Sequence, residues 1–166
     1  MRIAPVQING WTIYAHPLFL DQVQRLVGRL EQARKRDPAG FKRLRAAKLL
    51  SAILKIAFEI IPQDPSRTVY RQGDTLGPDH RHWLRVKFLP QYRLFFRYQG
   101  GDARIIILAW VNDDKSLRAF GSKTDAYAVF AKMLAAGHPP DSWEALKSAS
   151  TDEKVQERLA GTLKNL

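Results

Sequence analysis

The chain contains no cysteine, which excludes disulfides, thiolate nucleophiles and thiolate metal sites. It also lacks a long apolar run. The longest, Ile105 to Val111, has the length of a strand and not of a membrane span, so no membrane partner is expected and the cytoplasm is the expected compartment. There is no Gly-rich phosphate loop, no internal repeat and no low-complexity segment. The four histidines, His16, His80, His82 and His138, lack the spacing of a zinc site. His80-x-His82 could present two imidazoles on one side of a strand, but its loop offers no third histidine, and neither metal nor cofactor is expected. Acidic residues are scarce too: 16 Asp+Glu stand against 27 Lys+Arg, a formal net charge of +11. Such an excess suits a nucleic acid, an anionic surface or an acidic protein partner. Its bland alternative is a basic solvated surface.

At 166 residues, 45% of them hydrophobic, the chain can bury one substantial core but not two comfortable ones. The most informative segment is Trp83–Tyr98, which reads as two strands joined at Leu89-Pro90-Gln91. Side chains alternate along a strand. Arg85 and Lys87 therefore share one face, as do Arg93, Phe95 and Arg97, while Leu84, Val86, Phe88, Leu94 and Phe96 line the other. One side is apolar; the opposite side carries four cations and a ring, a pattern suited to RNA, which offers both phosphates and bases.

Upstream, residues 8–15 suggest a strand, with Asn9-Gly10 as a turn or bulge at its start. His16-Pro17 leads into a helix with Phe19, Val23, Leu26, Val27 and Leu30 on its apolar stripe. Asp37-Pro38 suggests the N-cap and first position of a second helix, which buries Leu44, Leu50, Leu54, Ala57, Phe58 and Ile61 and ends at Pro62. The two helices form a hairpin able to cover one face of a sheet. A short strand is expected at Thr68–Arg71, and a central one, covered on both faces, at Arg104–Val111. Asn112-Asp113-Asp114 breaks it, a turn more readily than a metal pair. Ser122 with Asp125 resembles a capping box opening a helix over 126–136, stopped by Gly137-His138-Pro139-Pro140. A short helix begins at Asp141-Ser142-Trp143, and 151–166 form a weakly amphipathic tail. The expected fold is one α+β domain of order β-α-α-β-β-β-α, spanning 1–147, with 148–166 as a helical tail.

This order, with basic middle strands and a Tyr92-Arg93-Leu94-Phe95-Phe96-Arg97-Tyr98 core, resembles the RelE superfamily of toxin ribonucleases. Asn9-Gly10-Trp11, Tyr14-Ala15-His16-Pro17, Arg85-Val86-Lys87-Phe88, Lys123-Thr124-Asp125-Ala126-Tyr127 and Gly137-His138-Pro139-Pro140 with Trp143 are more narrowly similar to the YhaV toxins. The likeness runs from about residue 7 to about residue 146. It implies a RelE-like fold, a helical hairpin on a mainly antiparallel sheet. It also implies a type II toxin that cuts mRNA without metal, on the ribosome or off it. The implied partners are a PrlF-like antitoxin and, through it, the operator DNA of their own operon.

Metal-free RNA cleavage uses the substrate's 2′-OH against the adjacent phosphate, so the enzyme must align the attack, neutralise the phosphorane and manage two protons. Arg93 is the first choice for a phosphate clamp; the resemblance places a catalytic arginine there and puts Arg85 and Lys87 at paired basic positions. Like charges around a lysine favour its neutral form, which suits Lys87 as general base or acid. His82, and less so His80, could transfer a proton near neutral pH, against a reading as ordinary loop histidines. Arg97 could contact phosphate or hold the sheet edge. Arg118 and Lys123 fall where relatives keep another arginine, and Tyr127 where they keep a tyrosine that stacks on a base or donates a proton, although packing would also explain it. The rival reading is a non-catalytic RNA-binding module, for which the basic sheet alone would suffice.

Overall fold

The computed structural model describes residues 4–164 and 166. Strands β1 (Val6–Ile8) and β2 (Trp11–Ala15) precede helices α1 (Pro17–Arg36) and α2 (Arg45–Lys55). Strands β3 (Leu84–Phe88), β4 (Tyr92–Gln99) and β5 (Ile105–Val111) follow, and then helices α3 (Ala126–Ala135), α4 (Trp143–Thr151) and α5 (Glu153–Lys164). The sheet has the order β1-β2-β5-β4-β3. Only β2 against β5 is parallel; the other three pairings are antiparallel.

The expected α+β class holds, with differences in detail. Residues 8–15 are not one strand. Asn9 and Gly10 both take positive φ, 51° and 80°, as a tight two-residue hairpin demands, and β1 returns as β2. Asp37 does not open a helix. Its backbone N–H donates to Ala33 O at the end of α1, and its carboxylate accepts the Gly40 N–H at 3.0 Å, closing a local turn in place of a cap. A 3₁₀ turn over Phe41–Arg43 follows, and α2 starts only at Arg45, leaving Leu44 exposed. Thr68–Tyr70 is a 3₁₀ turn with a single bridge from Arg71 to Leu84. Asp125, not Ser122, caps α3, accepting the Tyr127 N–H at 3.0 Å.

The sheet is buried on both faces. Helices α1 and α2 cover one face, packing Phe19, Leu20, Val23 and Ile53 against Ile13, Leu94, Phe96, Ile106 and Leu108. On the other, α3 places Tyr127, Phe130 and Leu134 against Phe95, Ile107, Trp110 and Trp83. All seven residues of β5 are buried, which is why its sequence is a continuous apolar run. A bulge opposite Phe95/Phe96 pairs Phe95 with Trp110 but Phe96 with Leu108, so Trp110 turns to the α3 side. Helix α5 returns to the α1/α2 layer, with Leu159 buried in the core there and Arg158 bonded to Asp21 and Gln24.

His16 ties β2 to α1. It is the N-cap, its Nδ1 accepting the Leu18 N–H at 3.1 Å, with Pro17 in the first helical position. Its pKa falls from 6.5 to about 4. Burial is the main cause; the Asp21 carboxylate opposes the shift and His138 adds to it. A histidine with a depressed folded-state pKa contributes stability above 6.5 that is lost as pH falls towards 4. Urea midpoints measured across that window should therefore drop more steeply in the wild type than in His16→Asn, which keeps a capping side chain and has nothing to titrate.

Candidate active site

The cationic face of β3 and β4 is not the open surface expected from alternation. Arg85 and Arg93 are 8% and 7% exposed, and Phe95, between Arg93 and Arg97, is fully covered. The cover is α3. Alternation says which side chains share a face; it cannot say that a helix some thirty residues downstream will lie across it.

Under that cover the guanidinium groups converge on one oxygen. Arg85 Nε and Arg93 Nε each donate to the Tyr127 hydroxyl, both at 3.0 Å. Arg85 Nη1 donates to Val69 O at 2.8 Å, and Arg93 Nη1 to Pro90 O at 2.7 Å. The remaining Nη2 of each has no partner among the described residues, and neither nitrogen is sealed from solvent. Arg118 joins the group, its guanidinium 5.0 Å from the Tyr127 ring centre and bonded to Asp125. Burial pushes the Asp125 carboxyl upward, but hydrogen bonds from Ala119, Arg118 and Tyr127 outweigh it and hold the group below its usual value. Asp125 thus stays a carboxylate, capping α3 and anchoring Arg118 together. Lys87 pairs in register with Arg93 and is exposed at the cluster's edge.

Local backbone holds this arrangement. Leu89, in the β3–β4 turn, adopts φ 44°, an uncommon conformation for leucine, and Pro90 next to it supplies the carbonyl that binds Arg93. Asn112 Oδ1 accepts the Arg93 N–H at 2.7 Å while its amide nitrogen bonds Gln91 O and Ser116 O. Asn112 therefore does more than end β5: it locks the turn that carries Arg93. Asp113 and Asp114 engage separate partners: Asp113 binds Ser116 and Gln22, and Asp114 binds Tyr92 and Arg29.

Not every candidate gathers here. His80 Nδ1 and His82 Nε2 both lie 2.9 Å from Asp141 Oδ1, which also accepts Trp83 Nε1–H at 2.8 Å. Arg97 belongs to this second group: its guanidinium lies against the rings of Trp83 and Trp143, and Nη1 donates to Asp141 O. His82 lies three residues ahead of Arg85, roughly 10 Å along an extended chain. Burial pushes Asp141 upward, and hydrogen bonds from Trp83, His82 and His80 more than offset it, so its pKa is lowered. Lys123 is exposed in the loop before α3.

Phe120 is a further residue at the rim of this cluster. It is 95% exposed, with the Arg118 guanidinium 5.8 Å from its ring centre. Val69 and Leu89, 60% and 46% exposed, sit in the two segments whose carbonyls bracket the arginines. No local sequence signal marks these residues, because both their exposure and which loops border the cluster are tertiary facts.

Over residues 13–151 the chain matches a family model described as a toxin with endonuclease activity, of a toxin–antitoxin system. It is 46% identical over 144 residues to the protein named Toxin YhaV of Escherichia coli O6:H1 and to the Ribonuclease toxin YhaV of Escherichia coli K12. Each alignment covers 86% of this chain and 93% of the relative. No solved structure matches the chain.

Proposed function

The chain belongs to the YhaV toxin family, and from that premise we propose that it is an endoribonuclease toxin whose reaction is centred on Arg85, Arg93 and Tyr127. The observation that carries this reading is the pair of nearly buried guanidinium groups sharing one phenol oxygen with no carboxylate within ion-pair distance of either among the described residues. Buried charge without a counter-charge is costly. An anion that must sit close, such as a scissile phosphate, offsets that cost and makes the arrangement useful.

A phosphate at the cluster's open edge would accept from Nη2 of both arginines, each already aimed by its Nε and Nη1 bonds. Their charge would oppose the negative charge that develops on the phosphorane oxygens as the 2′-OH attacks. The Tyr127 oxygen is occupied by two N–H donors, so its own hydrogen is left for an acceptor outside the protein. Lys87 manages one proton as general base or acid, and Tyr127 the other. No metal enters this reading. His82 and His80, held by Asp141, lie outside it, and Arg97 serves it by fixing the sheet edge between two indoles. Arg118 extends the cationic rim, and Lys123 lies on the approach.

The same reading carries the finer expectations: a RelE-like topology, mRNA cleaved on or off the ribosome, a PrlF-like antitoxin, and operator DNA bound through that antitoxin. The net charge of +11 suits both the RNA and an acidic partner.

The test is incubation of a defined RNA with purified protein in EDTA. Cuts ending in 2′,3′-cyclic phosphate are expected, and Lys87→Met should slow them and alter their pH dependence. Equal cleavage by that variant at every pH would remove Lys87 from the chemistry. RNA left intact both alone and on translating ribosomes would favour a module that only binds.

Phe120 gives the substrate a second handle. A ring this exposed beside a guanidinium is a platform for a nucleobase, worth about 1–3 kcal/mol by stacking. Phe120→Ala should raise KM about tenfold with kcat little changed, as measured by steady-state cleavage of a short oligonucleotide.

A further inference from the structure

Two imidazole nitrogens and a carboxylate oxygen meet at one point apart from the arginine cluster. His80 Nδ1, His82 Nε2 and the nearer Asp141 oxygen all lie within 4.8 Å of one another. They come from distant stretches of chain: the histidines lead into β3, and Asp141 precedes α4 by two residues. Asp141 is held from behind, its Oδ1 by Trp83 Nε1–H and its backbone carbonyl by Arg97. Trp83 is fully buried against Phe130, so this support is rigid. The side chains of His80, His82 and Asp141 are 25%, 37% and 37% exposed, which leaves their outer side open to water.

We propose that His80, His82 and Asp141 bind one divalent cation of the borderline-soft kind, with Zn²⁺ the best match. Two imidazoles and a carboxylate, with a further position left to water, form a donor set that zinc takes readily. Magnesium and calcium prefer oxygen ligands and fit it poorly. Ligands about 2.0–2.2 Å from a tetrahedral zinc lie roughly 3.4 Å apart, so the widest pair has to close by at most about 1.4 Å, within reach of exposed side-chain torsions. On binding, each imidazole gives up the hydrogen on its ligating nitrogen, which moves to the other ring nitrogen as the tautomer changes or leaves to solvent. The Trp83 N–H stays on the carboxylate, the outer-shell bond that orients such ligands. The ion would pin the entry of β3 to the start of α4, on the side of the sheet that α3 covers. It therefore acts on the stability of that layer and does not depend on the nuclease reading.

The experiment uses the untagged full chain, stripped with EDTA and dialysed, titrated with Zn²⁺ in a calorimeter and melted with and without the ion. Saturation near one equivalent and a Zn²⁺-dependent rise in Tm are expected, because a ligand that binds only the folded state stabilises it. His82→Gln and Asp141→Asn, which keep hydrogen-bonding groups in place, should each weaken binding about tenfold or more, while His138→Ala should leave it unchanged. Each variant's Zn²⁺ shift is read against its own metal-free melt, so a modest loss of stability does not obscure the result. Absence of saturable heat with an unmoved Tm would overturn the proposal. So would undiminished affinity in Asp141→Asn and His82→Gln, or affinity lost in His138→Ala.

Discussion

Arg93→Ala is expected to cut RNA cleavage by about 10²–10³-fold, the cost of removing one preorganised donor to a developing oxyanion, and to relieve growth arrest on expression. The same variant should retain its fold. The bonds it loses, Nε to Tyr127 and Nη1 to Pro90 O and Tyr92 O, leave acceptors that other donors can serve: Arg85 still donates to Tyr127, Pro90 is exposed to water, and water entering the space left by the guanidinium can reach Tyr92 O. A urea midpoint close to wild type alongside lost cleavage, both measured on one preparation, would assign Arg93 to chemistry. Cleavage within a few-fold of wild type would sink the clamp and return the arginine cluster to a structural role. Arg93→Lys sharpens the test, because a lysine keeps the charge but has three N–H donors, and bonds to the Tyr127, Pro90 and Tyr92 oxygens would use all of them.

Phe130→Ala is expected to destabilise the protein by about 3–5 kcal/mol, a large share of the 5–15 kcal/mol typical of a domain. Phe130 stacks on Phe95 with ring centres 4.2 Å apart, stacks on Trp110 at 5.7 Å and meets Trp83 edge-on at 5.1 Å. Truncation would leave a void between three rings that cannot collapse together, since Phe95 and Trp110 are fixed in adjacent strands. Tyr127 lies one turn earlier on the same helix, so loosening α3 also frees the hydroxyl that aligns both arginines. Denaturation by urea gives the stability loss, and cleavage at a temperature where the variant remains folded gives the second effect. A loss below about 1 kcal/mol would mean that α3 is held chiefly by its cap and loop and not by this core.

Arg93 marks where a linear reading succeeds. The β3–β4 hairpin was legible because a period of two is a local property, and Arg85, Lys87 and Arg93 do share a face as alternation requires. The buried run of β5 and the helical stripe of α1 were legible for the same reason. Boundaries set by competing local hydrogen bonds were not. Asp37 could cap a helix or close a turn, and only the surrounding geometry selects; Asn9-Gly10 could be a bulge or a complete hairpin turn. Phe120 was not singled out because exposure is invisible in a string of letters.

By itself the sequence determined the α+β class, the cationic strands and the kinship of the chain, all of which rest on residue type, short-range periodicity and motif order. Only the tertiary structure decided that α3 covers the cationic face and that Tyr127 joins Arg85 to Arg93. It also decided that His80 and His82 turn away to meet Asp141. Each of these is a contact between segments about thirty to sixty residues apart, set by how helices and sheet share a core, and no local pattern encodes which distant surface a side chain will meet.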